Sequence, residues 1–408
     1  MDTEHGREVP GDETDEDDGL RVLPCDSDQP SQCSRLAHHR SVAQQPSRRP
    51  LSATFAIAMP APGRISLLHV LSLSLVLTRV YADGVTPLPS LASQFSLTTS
   101  TSLPFPTATL STNDSDDFVT SGWSLSRGHI SNGQADLQFI DDPFPNNTVP
   151  ISTSDDSTLS SANGTVLRVT YPAGSFSNHT GGAQFYTLWN SSTPLQSMLV
   201  SYELAFDTDF DWVKGGKLPG IRGGPSIEGC SGGKEPTGTD CFSTRLMWRK
   251  DAAGEVYAYV PKTNGICDAD EVRCNDDFGV SIHRGAFGFP VGQWCRVTLL
   301  VQMNDPPSTS NGYIALYFND ILAISQKGVQ FRKDDTVNPG GLFFSTFFGG
   351  NDDSWATPID THTYFRNIRM YGSSSPSTMS AGVRTRAQEW GWVVMLAVLI
   401  FFCGLELV

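Results

Sequence analysis

The sequence predicts an all-β fold, a two-sheet sandwich of jelly-roll type. Three observations predict it. Residues 242–260 alternate with period two on both sides of a short turn. Short apolar runs recur along the chain, broken by Gly, Pro and Asn-Asp turns. No helical period persists for more than a couple of turns within the expected domain.

The alternation is clearest at 242–260. Phe242, Thr244, Leu246 and Trp248 share one face, while Ser243, Arg245 and Met247 share the other. Val256, Ala258 and Val260 oppose Tyr257 and Tyr259, and Lys250 to Gly254 suit a hairpin loop. Further strands are expected at 135–140, 165–171, 184–189, 198–206, 278–289, 294–303, 312–318, 321–325, 329–331, 341–347 and 363–370. Asn311-Gly312 and Asn319-Asp320 are hairpin signals.

The ends read differently. Residues 1–58 are polar and acidic in part, expected to be disordered or an extension upstream of the true start at Met59. Residues 59–82 carry a basic start, an apolar run and a small-residue cleavage site, as a signal peptide does. Residues 83–116 are rich in Ser, Thr and Pro and read as a linker, so the domain is placed at 117–372. Small residues at 373–389 and an apolar tail at 390–408 match a glycolipid-anchor signal, with a membrane span as the alternative. The chain is therefore expected outside the cell, held at its surface and monomeric.

Secretion sets the reading of cysteine. Proximity suggests Cys230 with Cys241 and Cys267 with Cys274, leaving Cys295 over. Zinc is disfavoured, since no His lies at ligand spacing and no Cys-x-x-Cys exists. Glycosylation sequons begin at Asn113, Asn146, Asn163, Asn178 and Asn190. A formal net charge of −15 excludes a general nucleic-acid footprint. No dinucleotide or phosphate loop and no Gly-x-Ser-x-Gly elbow appears.

Against this acidic background, cations crowd one stretch. A Gly-rich basic loop, Gly215-Gly216-Lys217-Leu218-Pro219-Gly220 with Arg222, precedes the strand that carries Arg245. Ser243, Arg245, Tyr257 and Tyr259 can project from one sheet face, where guanidinium and phenol groups make poor core. With Gly223-Gly224, residues 242–249, residues 254–261 and Ser281 to Phe287, this block resembles the family 14 polysaccharide lyases and the fungal glucuronan lyases. The resemblance implies a jelly roll that cleaves alginate or glucuronan by β-elimination on a concave sheet face. It implies that Lys217, Ser243, Arg245, Tyr257 and Tyr259 form the catalytic set. Arg222 and Arg284 are candidate substrate contacts, and His283 has no assigned role. The insert holding Cys230 and Cys241 departs from the family pattern.

The chemistry asks for such residues. Elimination removes the C5 proton of a uronate, so a cation must hold the neighbouring carboxylate. Arg245 offers a fork and Lys217 a point charge. A phenol beside cations can serve as base and acid, Tyr257 before Tyr259. No organic cofactor is implied. Two alternatives stand beside this reading. A glycoside hydrolase would draw its carboxylates from Glu203, Asp207, Asp209 and Asp211, a run that equally suits a solvated strand end or a structural calcium edge. A non-catalytic carbohydrate-binding module would use Trp189, Trp212, Trp248 and Trp355 as platforms.

Overall fold

The computed structural model describes residues 84–375, except 151–163, 190, 227–228 and 264. The expected leader at 59–82, the residues before it and the tail at 390–408 lie outside the described residues. So do the sequons at Asn163 and Asn190. Among the described residues no helix is long and apolar enough to cross a membrane.

Among the described residues, fifteen strands and two main helices follow in order. Helix α1 spans Leu88–Gln94, β1 Thr99–Ser102, α2 Thr112–Gly122, β2 Leu137–Asp141, β3 Thr165–Tyr171, β4 Ala183–Tyr186 and β5 Ser197–Phe206. Then come β6 at Gly215–Gly223, β7 at Phe242–Arg249, β8 at Ala253–Tyr259, β9 at Val272–Arg273 and β10 at Val280–Gly288. The last are β11 at Cys295–Gln302, β12 at Gly312–Phe318, β13 at Ile321–Val329, β14 at Pro339–Phe348 and β15 at Thr361–Ser373. One sheet runs β13-β12-β11-β5-β15-β3-β2, with β1 added on β15, and the other runs β4-β14-β6-β7-β8-β10-β9. All the strand pairings are antiparallel. The sandwich expected from the alternation is therefore present.

Its core lies between the sheets. Trp248, Leu246 and Val256 of the seven-stranded sheet join Phe206, Leu204 and Val297 of the other in one buried cluster. Aromatic edges fill it: Trp248 meets Phe206, Phe210 and Phe348 at centroid distances of 6.0, 5.6 and 5.3 Å. Both faces of β7 are buried, so the alternation separates two different environments rather than core from water.

Three features depart from the sequence expectation. The Gly-rich stretch is not a loop but β6, an interior strand between β14 and β7. Its glycines leave room for neighbours. A Cβ on Gly216 would stand 2.0 Å from the Trp248 ring, and one on Gly220 would stand 1.9 Å from the Thr244 carbonyl. Pro219, which lacks a donor, falls where the register with β7 shifts between Leu218 and Ile221. Its carbonyl accepts from Tyr202 Oη at 2.8 Å.

The second departure is the supposed linker. Leu88, Leu91 and Phe95 pack on Leu199, Leu300, Tyr313 and Tyr317, covering the outer face of the eight-stranded sheet. The third is α2, which begins before the expected domain boundary. Ser111 caps it, accepting from the Asp114 N–H at 3.2 Å and donating to the Asp114 carboxylate at 2.7 Å. The strand expected at 321–325 runs on to Val329 as β13, and Gln330 and Phe331 of the strand expected at 329–331 lie outside it.

The disulfides Cys230–Cys241 and Cys267–Cys274 form as proximity suggested. Cys295 is a buried free thiol whose pKa burial pushes far up.

Candidate active site

Strand register brings the sequence-predicted residues together. Ser243 faces Tyr259 and Arg245 faces Tyr257 across β7 and β8. Lys217 on β6 faces Met247 on β7, and Ser281 on β10 faces Tyr257. Since Phe242, Leu246, Trp248, Val256 and Ala258 point into the core, this alternate set occupies the outer face of the seven-stranded sheet.

The contacts are close. Lys217 Nζ lies 4.0 Å from the centre of the Tyr257 ring and 3.0 Å from Met247 Sδ. The Arg249 guanidinium lies 5.8 Å from the same ring. The two phenol rings meet edge to face at 5.8 Å. Arg245 sits 4.5 Å from the Phe343 ring and 5.8 Å from that of Tyr259. Tyr257 and Tyr259 are each 3% exposed and Arg245 is 2% exposed, whereas Lys217 is only half-buried and marks the open side.

Arg245 is electrostatically unusual. One terminal nitrogen donates to Ser345 Oγ at 3.0 Å, and its Nε meets no acceptor. Among the described residues no carboxylate pairs with it. Burial lowers its pKa, opposed by the nearby phenols of Tyr259, Tyr257 and Tyr186. An uncompensated buried cation is costly, and an incoming anion would relieve that cost.

Glu255 is a site member that sequence reasoning missed. Its carboxylate is fully buried, yet it belongs to the polar face of β8, two residues before Tyr257. It takes Arg249 Nε at 2.9 Å, Ser281 Oγ at 2.6 Å and Arg284 Nε at 2.9 Å. Burial would raise its pKa, but Arg249, Arg284 and the Ser281 hydroxyl outweigh that and hold it below the usual carboxylate value. Period-two spacing from Tyr257 and Tyr259 is the signal that could have found it.

The other candidates fall as follows. Ser243 is fully buried and donates to the Cys230 carbonyl at 2.6 Å. Arg222 is opposite Ser243 in register but only 2% exposed, donating to the Ser226 carbonyl, with burial pushing its pKa down to about 10. Arg284 is exposed and anchored through Nε to Glu255. His283 pairs with Glu271 at 2.6 Å.

The alternative sites do not assemble. Asp207 follows β5 of the other sheet and is engaged by His362 at 2.8 Å and Tyr364 at 2.6 Å. Glu203 is locked between Arg296 at 3.0 Å and Arg366 at 2.7 Å. Trp248 and Trp355 are buried, and Trp189 and Trp212 pack on the core, so these tryptophans form no platform. Cys230, Asp240 and Cys241 cluster as metal ligands would, but both sulfurs are spent in a disulfide.

Comparison with known proteins shows the family. The family model described as polysaccharide lyase 14 matches residues 159–368, just over half of the chain. The crystal structure of the marine PL-14 alginate lyase from Aplysia kurodai is similar at 28% identity and TM-score 0.53, covering 68% of this chain and 99% of that one. Alginate lyase Aly36B is similar at 20% identity and TM-score 0.47, over 67% of this chain and 97% of its own. The endo-β-1,4-glucuronan lyase from the fungus Trichoderma reesei is similar at 12% identity and TM-score 0.34, over 52% and 82%. No curated protein matches.

Proposed function

From the premise that the chain belongs to polysaccharide lyase family 14, we propose that it cleaves a uronic-acid polymer, alginate or glucuronan, by β-elimination on the outer face of the seven-stranded sheet. Arg245 receives the uronate carboxylate and, with Lys217, stabilises the charge that develops when C5 loses its proton. Tyr257 takes that proton, and the leaving oxygen at C4 is protonated as its bond breaks. Tyr259 and Ser243 orient the ring, and Arg284 meets a neighbouring sugar.

The observation that carries this reading is the Arg245 guanidinium, buried near the Tyr257 and Tyr259 phenols with no carboxylate partner among the described residues. That is the environment a sugar carboxylate would complete. The disulfides and the exposed sequon asparagines Asn113 and Asn146 support an extracellular setting.

The test is a panel of alginate and glucuronan followed for ultraviolet absorbance of the new C4–C5 double bond. Wild-type protein should generate it on at least one polymer. Tyr257→Phe should lower kcat about 100-fold or more while KM changes little. Reducing ends appearing without the new absorbance would mean hydrolysis instead.

A further inference from the structure

Both phenol oxygens of the site accept main-chain hydrogen bonds, one from within a disulfide-closed loop and one from the segment that follows another. Tyr257 Oη accepts from the Gly279 N–H at 3.0 Å, and Tyr259 Oη accepts from the Gly233 N–H at 3.2 Å. Gly233 lies within the loop closed by Cys230–Cys241. Cys230 in turn accepts from Ser243 through its carbonyl. Gly279 follows the loop closed by Cys267–Cys274. Between them Asn275 Oδ1 accepts from the N–H groups of Asp277 and Phe278 at 2.9 and 3.0 Å, fixing the approach. The Cys230–Cys241 cystine, Met247, Tyr257 and Tyr259 form one buried cluster with Phe278 against it.

Position 279 admits no side chain. A Cβ there would stand 2.9 Å from the Ala258 carbonyl, 2.9 Å from Tyr259 Cε2 and 3.0 Å from Tyr257 Cε1. The missing side chain is what lets the main chain come down onto both rings.

We propose that Gly279 is a positioning residue for the elimination. Its N–H holds Tyr257 Oη in place and favours the phenolate, the form able to accept the C5 proton. The disulfide-tied loops are then part of the reaction apparatus rather than surface decoration. The proposal rests on the uronate-lyase reading. A donor aimed at an oxygen stabilises the charged form of that oxygen, as donors do in an oxyanion hole. The other groups facing Tyr257 are Lys217 from β6, Arg245 and Arg249 from β7, Glu255 and Tyr259 from its own strand, and Ser281 from β10. The carboxylate of Glu255 is already committed to Arg249, Arg284 and Ser281.

The step balances within the site. The phenolate oxygen bonds the C5 proton, and the released electron pair becomes the C4–C5 double bond. The C4–O bond breaks, and the leaving oxygen takes the proton back from the phenol. Tyr257 ends as the phenolate it began as.

Gly279→Ala and the double variant Cys267→Ser/Cys274→Ser test the proposal, with circular dichroism to verify folding. Each should lower kcat about 10- to 100-fold with KM held within about threefold. Each should also move the acidic limb of the kcat profile upward by about one pH unit. A third measurement needs no loop variant. The ultraviolet difference titration of wild type against Tyr257→Phe should show a phenol ionising below the ordinary value of about 10. The proposal is overturned if that phenol ionises at or above the ordinary value, or if a folded loop variant keeps the wild-type kcat and pH profile. If instead Tyr257→Phe retains full turnover, the function assigned to the site fails, and the same titration repeated in Gly279→Ala, where the phenol should ionise higher than in wild type, still reports separately on the Gly279 contact.

Discussion

Arg245 carries its charge into a layer of rings, with Phe343 on one side and Tyr259 on the other, and its Nε meets no acceptor. Burying a cation in this way costs folding free energy that one neutral hydrogen bond to Ser345 and the ring contacts offset only in part. Function and stability should therefore separate at this residue. Arg245→Met, similar in length and apolar, should raise thermal stability, by about 1 kcal/mol or more, and abolish turnover. Calorimetry beside the absorbance assay checks both halves. A variant that is inactive and also much less stable would show that the guanidinium is structural. Arg245→Lys keeps the charge but loses the fork, and kcat/KM should still fall by about 100-fold.

At the scale of elements, α1 shows how composition can mislead. Ser, Thr and Pro at 83–116 suggested a linker, yet Leu88, Leu91 and Phe95 seal the outer face of a sheet. Deleting residues 84–102 should uncover Leu199, Leu300, Tyr313 and Tyr317. The urea midpoint should drop by the equivalent of several kcal/mol, since each large apolar side chain contributes about 1.5–3. An unchanged midpoint would show that the segment is dispensable. The alternation at 242–260 was legible because most β7 and β8 residue types match their face, apolar toward the core and polar toward the other side, with Thr244 and Met247 the exceptions. Strand β6 was not, because glycine there answers to Trp248 and Thr244 on the neighbouring strand. Glu255 was passed over for a similar reason. Its identity depends on Arg249, Ser281 and Arg284, only one of which is near it in sequence. The set Lys217, Arg245, Tyr257 and Tyr259 was legible as a group, while the glycine donors above it exist only once the loops are closed.

Across the whole molecule, acid should be the weak side. Burial would raise the Asp207 carboxyl pKa, but its bonds to His362 and Tyr364 lower it, and Glu255 is lowered likewise by its arginines. Both pKa values are lower in the folded than in the unfolded chain. Their contribution to stability is therefore complete above the ordinary carboxyl value of about 4 and is lost as pH falls through the lowered folded values. Asp136, whose carboxyl pKa is raised by burial to about 6, works the other way, so midpoints should rise slightly between neutrality and about pH 5, then fall steeply below about pH 4, and Asp207→Asn should make the fall shallower. A midpoint that keeps rising below about pH 4 would contradict this. On the other sheet, Glu203 binds Arg296 and Arg366, which reach on to Asp320 and Asp142. Glu203→Ala would remove the carboxylate that the two arginines share and should cost about 3–5 kcal/mol.

The buried thiol of Cys295, with its sulfur 3.5 Å from the Leu204 carbonyl, sits on β11 in the middle of that sheet. Its side chain belongs to the core between the sheets, so a thiol-modifying reagent reaches it only when that core opens. Its labelling rate, read by peptide mass, is accordingly a clock for the rare openings of the sandwich interior, one that runs at a single atom and needs no introduced cysteine.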